Sequence, residues 1–208
     1  MSKVEIALNA LKKYYGVDAF KVERVPPFYA LIGCILSQRT RDKNASNAAN
    51  ALFAVASTPQ EILALDPETL RQLIRPSGYY NQKAKHISGA CRAIIGRFGG
   101  ETPRTRDELL TLAGVGPKTA DIVLSYGYGE PAIAVDTHIN RVSRRAGLAR
   151  AKAKPTEVKN ALQGVLSQSD WVYADGALLQ LGKDYCKPRK SRCVECPLNV
   201  FCDHKKGA

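Results

Sequence analysis

Apolar residues recur along this chain at helical rather than strand spacing. Val4, Ile6, Ala7, Leu8 and Leu11 form one stripe three and four residues apart, and the same periodicity returns over 28–36, 45–55, 70–74, 84–98, 109–112 and 123–126. Alternation of period two, the mark of a half-buried strand, is scarce. The punctuation agrees with helices. Thr58-Pro59 and Asp66-Pro67 each read as an N-cap followed by proline at the first helical position, with Glu61 or Glu68 in the first turn. Gly78, Gly99-Gly100 and Gly127 stand where helices are expected to stop. No segment is low in complexity, and no period of about 20–50 residues repeats. The pattern predicts an all-α protein of about ten short helices joined by tight loops.

No Pro/Gly/Ser-rich linker divides the chain. Its basic half begins after Pro131 and runs into a cysteine-rich tail, which puts the expected domain division near residue 131. Periodicity does not say where the first helix docks. At 208 residues, 45% hydrophobic and 24% charged, the composition is that of a folded globular protein rather than a disordered one. The apolar runs, such as Ala132-Ile133-Ala134-Val135, fall far short of the ~20 residues of a membrane span, so no membrane partner is expected. Met1-Ser2-Lys3 leads straight into an amphipathic stretch without a leader-like apolar segment. A cytoplasmic location with reduced thiols is expected.

Charge changes the picture. Thirty-one Lys and Arg against nineteen Asp and Glu leave a formal net charge of +12. The excess is segregated: Arg141, Arg144, Arg145, Arg150, Lys152, Lys154 and Lys159 meet a single acid, Glu157, and Lys187, Arg189, Lys190 and Arg192 follow. A solvated helix face normally mixes its signs, whereas segregated cations address a polyanion such as nucleic acid.

Four of the six cysteines fall within the last part of that basic half: Cys186, Cys193, Cys196 and Cys202, spaced C-x6-C-x2-C-x5-C. Pro188 and Pro197 make the backbone turn there, so four thiols can converge on one point. Four is the number that a [4Fe–4S] cluster or a Cys₄ zinc ion requires. Zinc sites commonly use two short C-x2-C-type pairs, and this stretch has one, which favours the cluster. Disulfide pairing is the alternative, and nothing in the cysteine distribution supports it. Cys34 and Cys91 sit in apolar helical stretches and read as core.

Leu112-Ala113-Gly114-Val115-Gly116-Pro117-Lys118-Thr119-Ala120 follows a short helix. Its two glycines allow the positive φ angles of a sharp reversal, and Pro117 opens a second helix. The amides of Gly114, Gly116 and the new helix, Thr119 included, then face outward as a site for one backbone phosphate, unless the corner merely packs. Lys118 would lie at the positive end of that helix among other cations, which disfavours its ammonium form. A neutral lysine is a nucleophile able to form a Schiff base, although a lysine at a hairpin also serves simply to contact phosphate. Eighteen residues on, Asp136 closes the apolar run 132–135 and opens a basic helix with His138 and Arg141. It reads as an N-cap, and a carboxylate among cations can also act as a base or stabilise a developing positive charge. His86 and His138 read as hydrogen-bonding residues.

L-x-G-V-G-x-K-T-A, then A-V-D-T-H-I-x-R-V, then the four-cysteine tail together resemble the helix–hairpin–helix DNA glycosylases of the endonuclease III type, over essentially the whole chain. The resemblance implies a two-domain all-α fold. A six-helix barrel with the hairpin would span about 20–130, and a cluster domain would join 1–19 to 131–208. It implies double-stranded DNA carrying damaged bases or abasic sites as partner, and a monomeric protein acting at the nucleoid. Lys118 matches the family's catalytic lysine and Asp136 its catalytic aspartate; Cys186, Cys193, Cys196 and Cys202 match the ligands of its [4Fe–4S] cluster. Similar adenine glycosylases have serine at position 118 and mismatch glycosylases tyrosine. Lysine therefore implies a bifunctional glycosylase and AP lyase, removing oxidised pyrimidines such as thymine glycol and cleaving the strand by β-elimination. Two positions depart from the family. In Ser37-Gln38-Arg39-Thr40 a gap-free match puts Arg39, not Gln38, on the base-displacing glutamine, and Tyr79 stands where a leucine wedge is common. Gln38, His138, Arg141, Arg189 and Lys190 are also expected to contact DNA, the last two on its backbone.

Overall fold

A computed structural model describes residues 1–206, the side chains of the last two excepted. Its described residues form twelve α-helices, two 3₁₀ turns and one π-helical turn, with no strand. The chain divides into two compact units: residues 23–130, and residues 1–22 together with the chain from 131 onward. Among the described residues no helix is long and apolar enough to cross a membrane.

In the unit Glu23–Glu130, helix α2 (Pro27–Ser37) is the most apolar element and the centre of the core. Leu31, Ile32, Ile35 and Leu36 are fully buried, because α3 (Asp42–Phe53), α6 (Tyr80–Phe98), α8 (Pro117–Ile122) and the π turn Val123–Tyr128 all pack around it. Burial of that size, about 2 kcal/mol for each such side chain, is what fixes short helices that would not hold alone. The caps expected at Thr58 and Asp66 are present. Thr58 and Glu61 form a reciprocal capping box on α4 (Pro59–Ala64), and Asp66 accepts from the amides of Glu68 and Thr69 at the start of α5 (Pro67–Ile74). Gly78 and Gly99 terminate their elements as expected.

Gly127 does not. It lies inside the π turn, where a Cβ would come within 2.8 Å of the Pro27 backbone, and the chain turns at Gly129 instead, with φ +72°. The missing side chain there serves the close approach of two backbones rather than a helix stop. The widened turn leaves the Tyr126 carbonyl available to the Val25 amide at 3.1 Å.

In the other unit, α1 (Lys3–Tyr15) lies against α11 (Trp171–Asp184) beside α9 (Thr137–Ala146) and α10 (Pro155–Gln163). Tyr173 holds the end of α1, its hydroxyl 3.0 Å from the carbonyls of both Leu11 and Gly16. The last turn, α12 (Asp203–Lys206), is tied back through Asp203, which accepts from Lys3 at 2.6 Å.

Candidate functional site

The hairpin follows α7 (Arg106–Leu110) in the unit Glu23–Glu130. Gly114 takes φ +77°, and a Cβ there would strike the His86 ring at 2.8 Å, so both torsion and space require glycine. Gly116, expected to share the positive φ, is extended at −105° and caps α8, with nothing near its missing Cβ. Pro117 occupies the first turn, as read from the sequence. Lys118 is exposed immediately after it. Thr119 is buried, so its side chain is not offered to an anion at this corner. Gln38 donates through Nε2 to the Gly114 carbonyl at 2.8 Å and serves as a strut for the turn. Cys34 is half-buried rather than core: burial pushes its thiol up to about 11, while the charge of nearby Lys118 pulls the other way.

Two exposed residues of this unit stand in strained backbone. Arg39 has φ +52° and Tyr79 φ +48°, the left-handed region that bulky residues rarely adopt. Such strain, on the order of 1–3 kcal/mol, persists only where surrounding structure enforces it, and it gathers at functional positions. Gln38, tied to the hairpin, leaves Arg39 as the projecting side chain of its segment; Tyr79 is 65% exposed. A residue bonded to both segments was not read from the sequence. Lys83 on α6 is only 3% exposed and sits beneath both segments. Its one sequence signal is its place in the buried stripe with Ala84 and Ile87.

In the other unit, Ile133 and Val135 are buried, and Asp175 accepts the Ala134 amide at 2.7 Å, which fixes the extended segment leading to Asp136. Asp136 caps α9, its Oδ1 accepting from the amides of His138 (2.7 Å) and Ile139 (2.8 Å). His138 is half-buried against Gly182 and meets Arg141 at 3.2 Å through Nδ1. Arg141, expected on DNA, is turned inward: it donates to the carbonyls of Cys186 (2.7 Å) and Gly182 (3.0 Å). Gly182 stands in the last turn of α11 and Cys186 just beyond its end, where carbonyls lack helical partners, and this draws the guanidinium in. Arg145 likewise reaches the Lys187 carbonyl at 2.8 Å and the Ser191 hydroxyl at 3.0 Å. Arg192 pairs with Glu195. Lys187, Arg189 and Lys190 remain exposed, and Lys190 has φ +53°.

Cys186, Cys193, Cys196 and Cys202 line one small cavity with Arg145, Tyr185, Asn199 and His204, and none is in a disulfide. Two of the sulfurs have donors aimed at them: Arg145 Nη1 lies 3.6 Å from Cys186 Sγ, and a backbone bond from Leu198 serves Cys196. Burial raises the Cys196 thiol to about 11, so holding thiolates here needs a positively charged partner. Among the described residues no group of three or more His, Cys, Asp or Glu is arranged to hold a single metal ion. A cubane, by contrast, takes its four thiolates on four separate irons, so the sulfurs line a cavity instead of meeting at one point. The donor set fits such a cluster.

Residues 32–168 match the family described as HhH-GPD superfamily base excision DNA repair protein. An endonuclease III of Thermotoga maritima is 44% identical over 177 residues, covering 85% of this chain and 83% of its own. One from Haemophilus influenzae is 41% identical over 204 residues, 98% and 96% of the two chains. The fold superposes on an endonuclease III captured as a covalent intermediate with DNA, with a TM-score of 0.91 at 35% identity, over 100% of this chain and 98% of that one.

Proposed function

Because the chain belongs to the endonuclease III family of HhH-GPD base excision DNA repair proteins, we propose that it is a bifunctional DNA glycosylase and AP lyase that removes oxidised pyrimidines from duplex DNA. The observation that carries this reading is Lys118: a lysine, exposed, in the first turn of the helix that opens after the hairpin. The capture of a related endonuclease III in a covalent DNA intermediate supports it.

A base inside a stacked duplex shields C1′, so the nucleotide must first be displaced, with Arg39 and Tyr79 filling the space it leaves. The amides of the hairpin hold a backbone phosphate of the distorted strand. The Lys118 amine attacks C1′; the N-glycosidic bond breaks, and the base departs with the electron pair and takes up a proton. Asp136 supplies the carboxylate that accepts the proton lost by the amine or stabilises positive charge developing at C1′. Opening of the sugar gives an imine between Lys118 and C1′. Loss of a C2′ proton then expels the 3′-phosphate, and hydrolysis frees the lysine. No oxidant or reductant enters. The four cysteines would hold a [4Fe–4S] cluster, which when bound supplies a fixed, charged anchor for the loop that bears Lys187, Arg189 and Lys190.

Borohydride reduces an imine to a stable amine, so adding it during turnover on a thymine-glycol duplex is expected to link protein to DNA. Lys118→Gln is expected to abolish the adduct and strand cleavage while leaving duplex binding nearly intact, because the hairpin amides remain. An adduct that survives Lys118→Gln would assign the nucleophile elsewhere.

A further inference from the structure

Lys83 is a cation with an unusual address. It is 3% exposed, and its three ammonium protons meet three acceptors: the Leu36 carbonyl at 2.6 Å, Thr40 Oγ1 at 2.8 Å and the Ser77 carbonyl at 2.8 Å. None is a carboxylate. Burial pushes the group down to about 8 from its ordinary value of 10.5, a penalty that three neutral oxygens offset only if all are held in place. Leu36 is in the last turn of α2 and Ser77 ends a 3₁₀ turn, so both carbonyls lack helical partners and accept a cation readily. Thr40, having accepted from Lys83, also bonds through its hydroxyl to the Ser77 carbonyl.

These three acceptors bracket the two strained residues. Leu36 and Thr40 stand on either side of Arg39, and Ser77 is two residues before Tyr79. Nothing in sequence joins the two segments. The ammonium does.

We propose that Lys83 is a positioning residue for base displacement, tying the segment of Arg39 to the segment of Tyr79 so that the two side chains are presented as one preformed wedge. The inference rests on the glycosylase reading above and adds to it how the wedge is held. Two projecting side chains that must enter the duplex together work best when their backbones are already ordered, since ordering them during binding would consume affinity. A ring of neutral acceptors around a buried cation orders both without offering any charge to phosphate.

The test uses the whole protein and two variants. Lys83→Met keeps the side-chain stem and removes the donors. Thr40→Val keeps the ammonium, removes the hydroxyl bridge and disturbs the core less. Base extrusion is read from 2-aminopurine fluorescence beside a thymine glycol, base removal under single-turnover conditions, and strand cleavage on a duplex with a preformed abasic site. In Lys83→Met, extrusion and base removal are expected to fall about tenfold or more, as misplaced groups remote from the chemistry do. Cleavage at the abasic site should fall less than about threefold, because no base has to be unstacked there. Affinity for undamaged duplex should hold within about twofold, since the buried ammonium contacts no phosphate. Thr40→Val is expected to show the same split, smaller, and decides the matter if circular dichroism finds Lys83→Met unfolded. Parallel loss of base removal and abasic cleavage, or unchanged extrusion in a folded variant, would overturn the proposal. Absence of base removal in the wild-type protein would instead overturn the glycosylase reading on which it rests.

Discussion

Asp136 caps a helix and has a second role in the proposed reaction, and one substitution separates the two. Its Oδ1 accepts the amides of His138 and Ile139 and so starts α9; the same carboxylate is the proposed partner of Lys118 in base release. Asparagine caps a helix about as well as aspartate, within about 0.5 kcal/mol, but has no negative charge. Asp136→Asn is therefore expected to leave the thermal midpoint almost unmoved while single-turnover base release falls by about 10²–10⁴, the range of a lost acid–base group. Full activity in Asp136→Asn would reduce Asp136 to a cap. The cap was legible in the sequence because it depends on neighbours two and three residues away. Lys83 was not, because its acceptors at 36, 40 and 77 become neighbours only once α2, α3 and α6 have packed. Arg141 misled for the same reason: among so many cations, nothing local marks the one whose partners are carbonyls from residues 182 and 186.

At the scale of elements, helix starts were easier to read than helix interiors. Thr58, Asp66 and Pro117 announce their helices through short-range hydrogen bonding and a fixed φ. The π turn at Val123–Tyr128 has no such local cause, since Gly127 is required by the approach of Pro27 from the far end of the unit. The tail from Cys186 to Cys202 is the opposite extreme: spacing alone singled out four candidate ligands, and the structure places those four thiols on one cavity braced by Arg145. Purified protein is expected to be brown and to contain about four iron and four sulfide per chain, as four thiolates on a cubane require. One zinc and no iron on elemental analysis would sink the cluster while leaving the hairpin argument intact.

For the whole molecule, the net charge of +12 overstates the cations available to DNA. Arg141 and Arg145 are engaged by carbonyls, Arg150 pairs with Glu157 and Arg192 with Glu195. Lys152, Lys154, Lys187, Arg189 and Lys190 are exposed. Each phosphate neutralised contributes about 0.9 to the slope of log affinity against log salt on duplex DNA. The slope should therefore track the exposed set rather than the total charge. Arg189→Glu with Lys190→Glu is expected to lower it by about 1.8 if both touch phosphate, and to weaken damaged and undamaged duplexes alike, because backbone contacts position without reading the base. Electrophoretic or fluorescence titrations across a salt series measure both quantities. A loss confined to damaged duplex would move these residues from the backbone to the lesion, and a wild-type affinity indifferent to salt would assign the basic surface to some partner other than DNA.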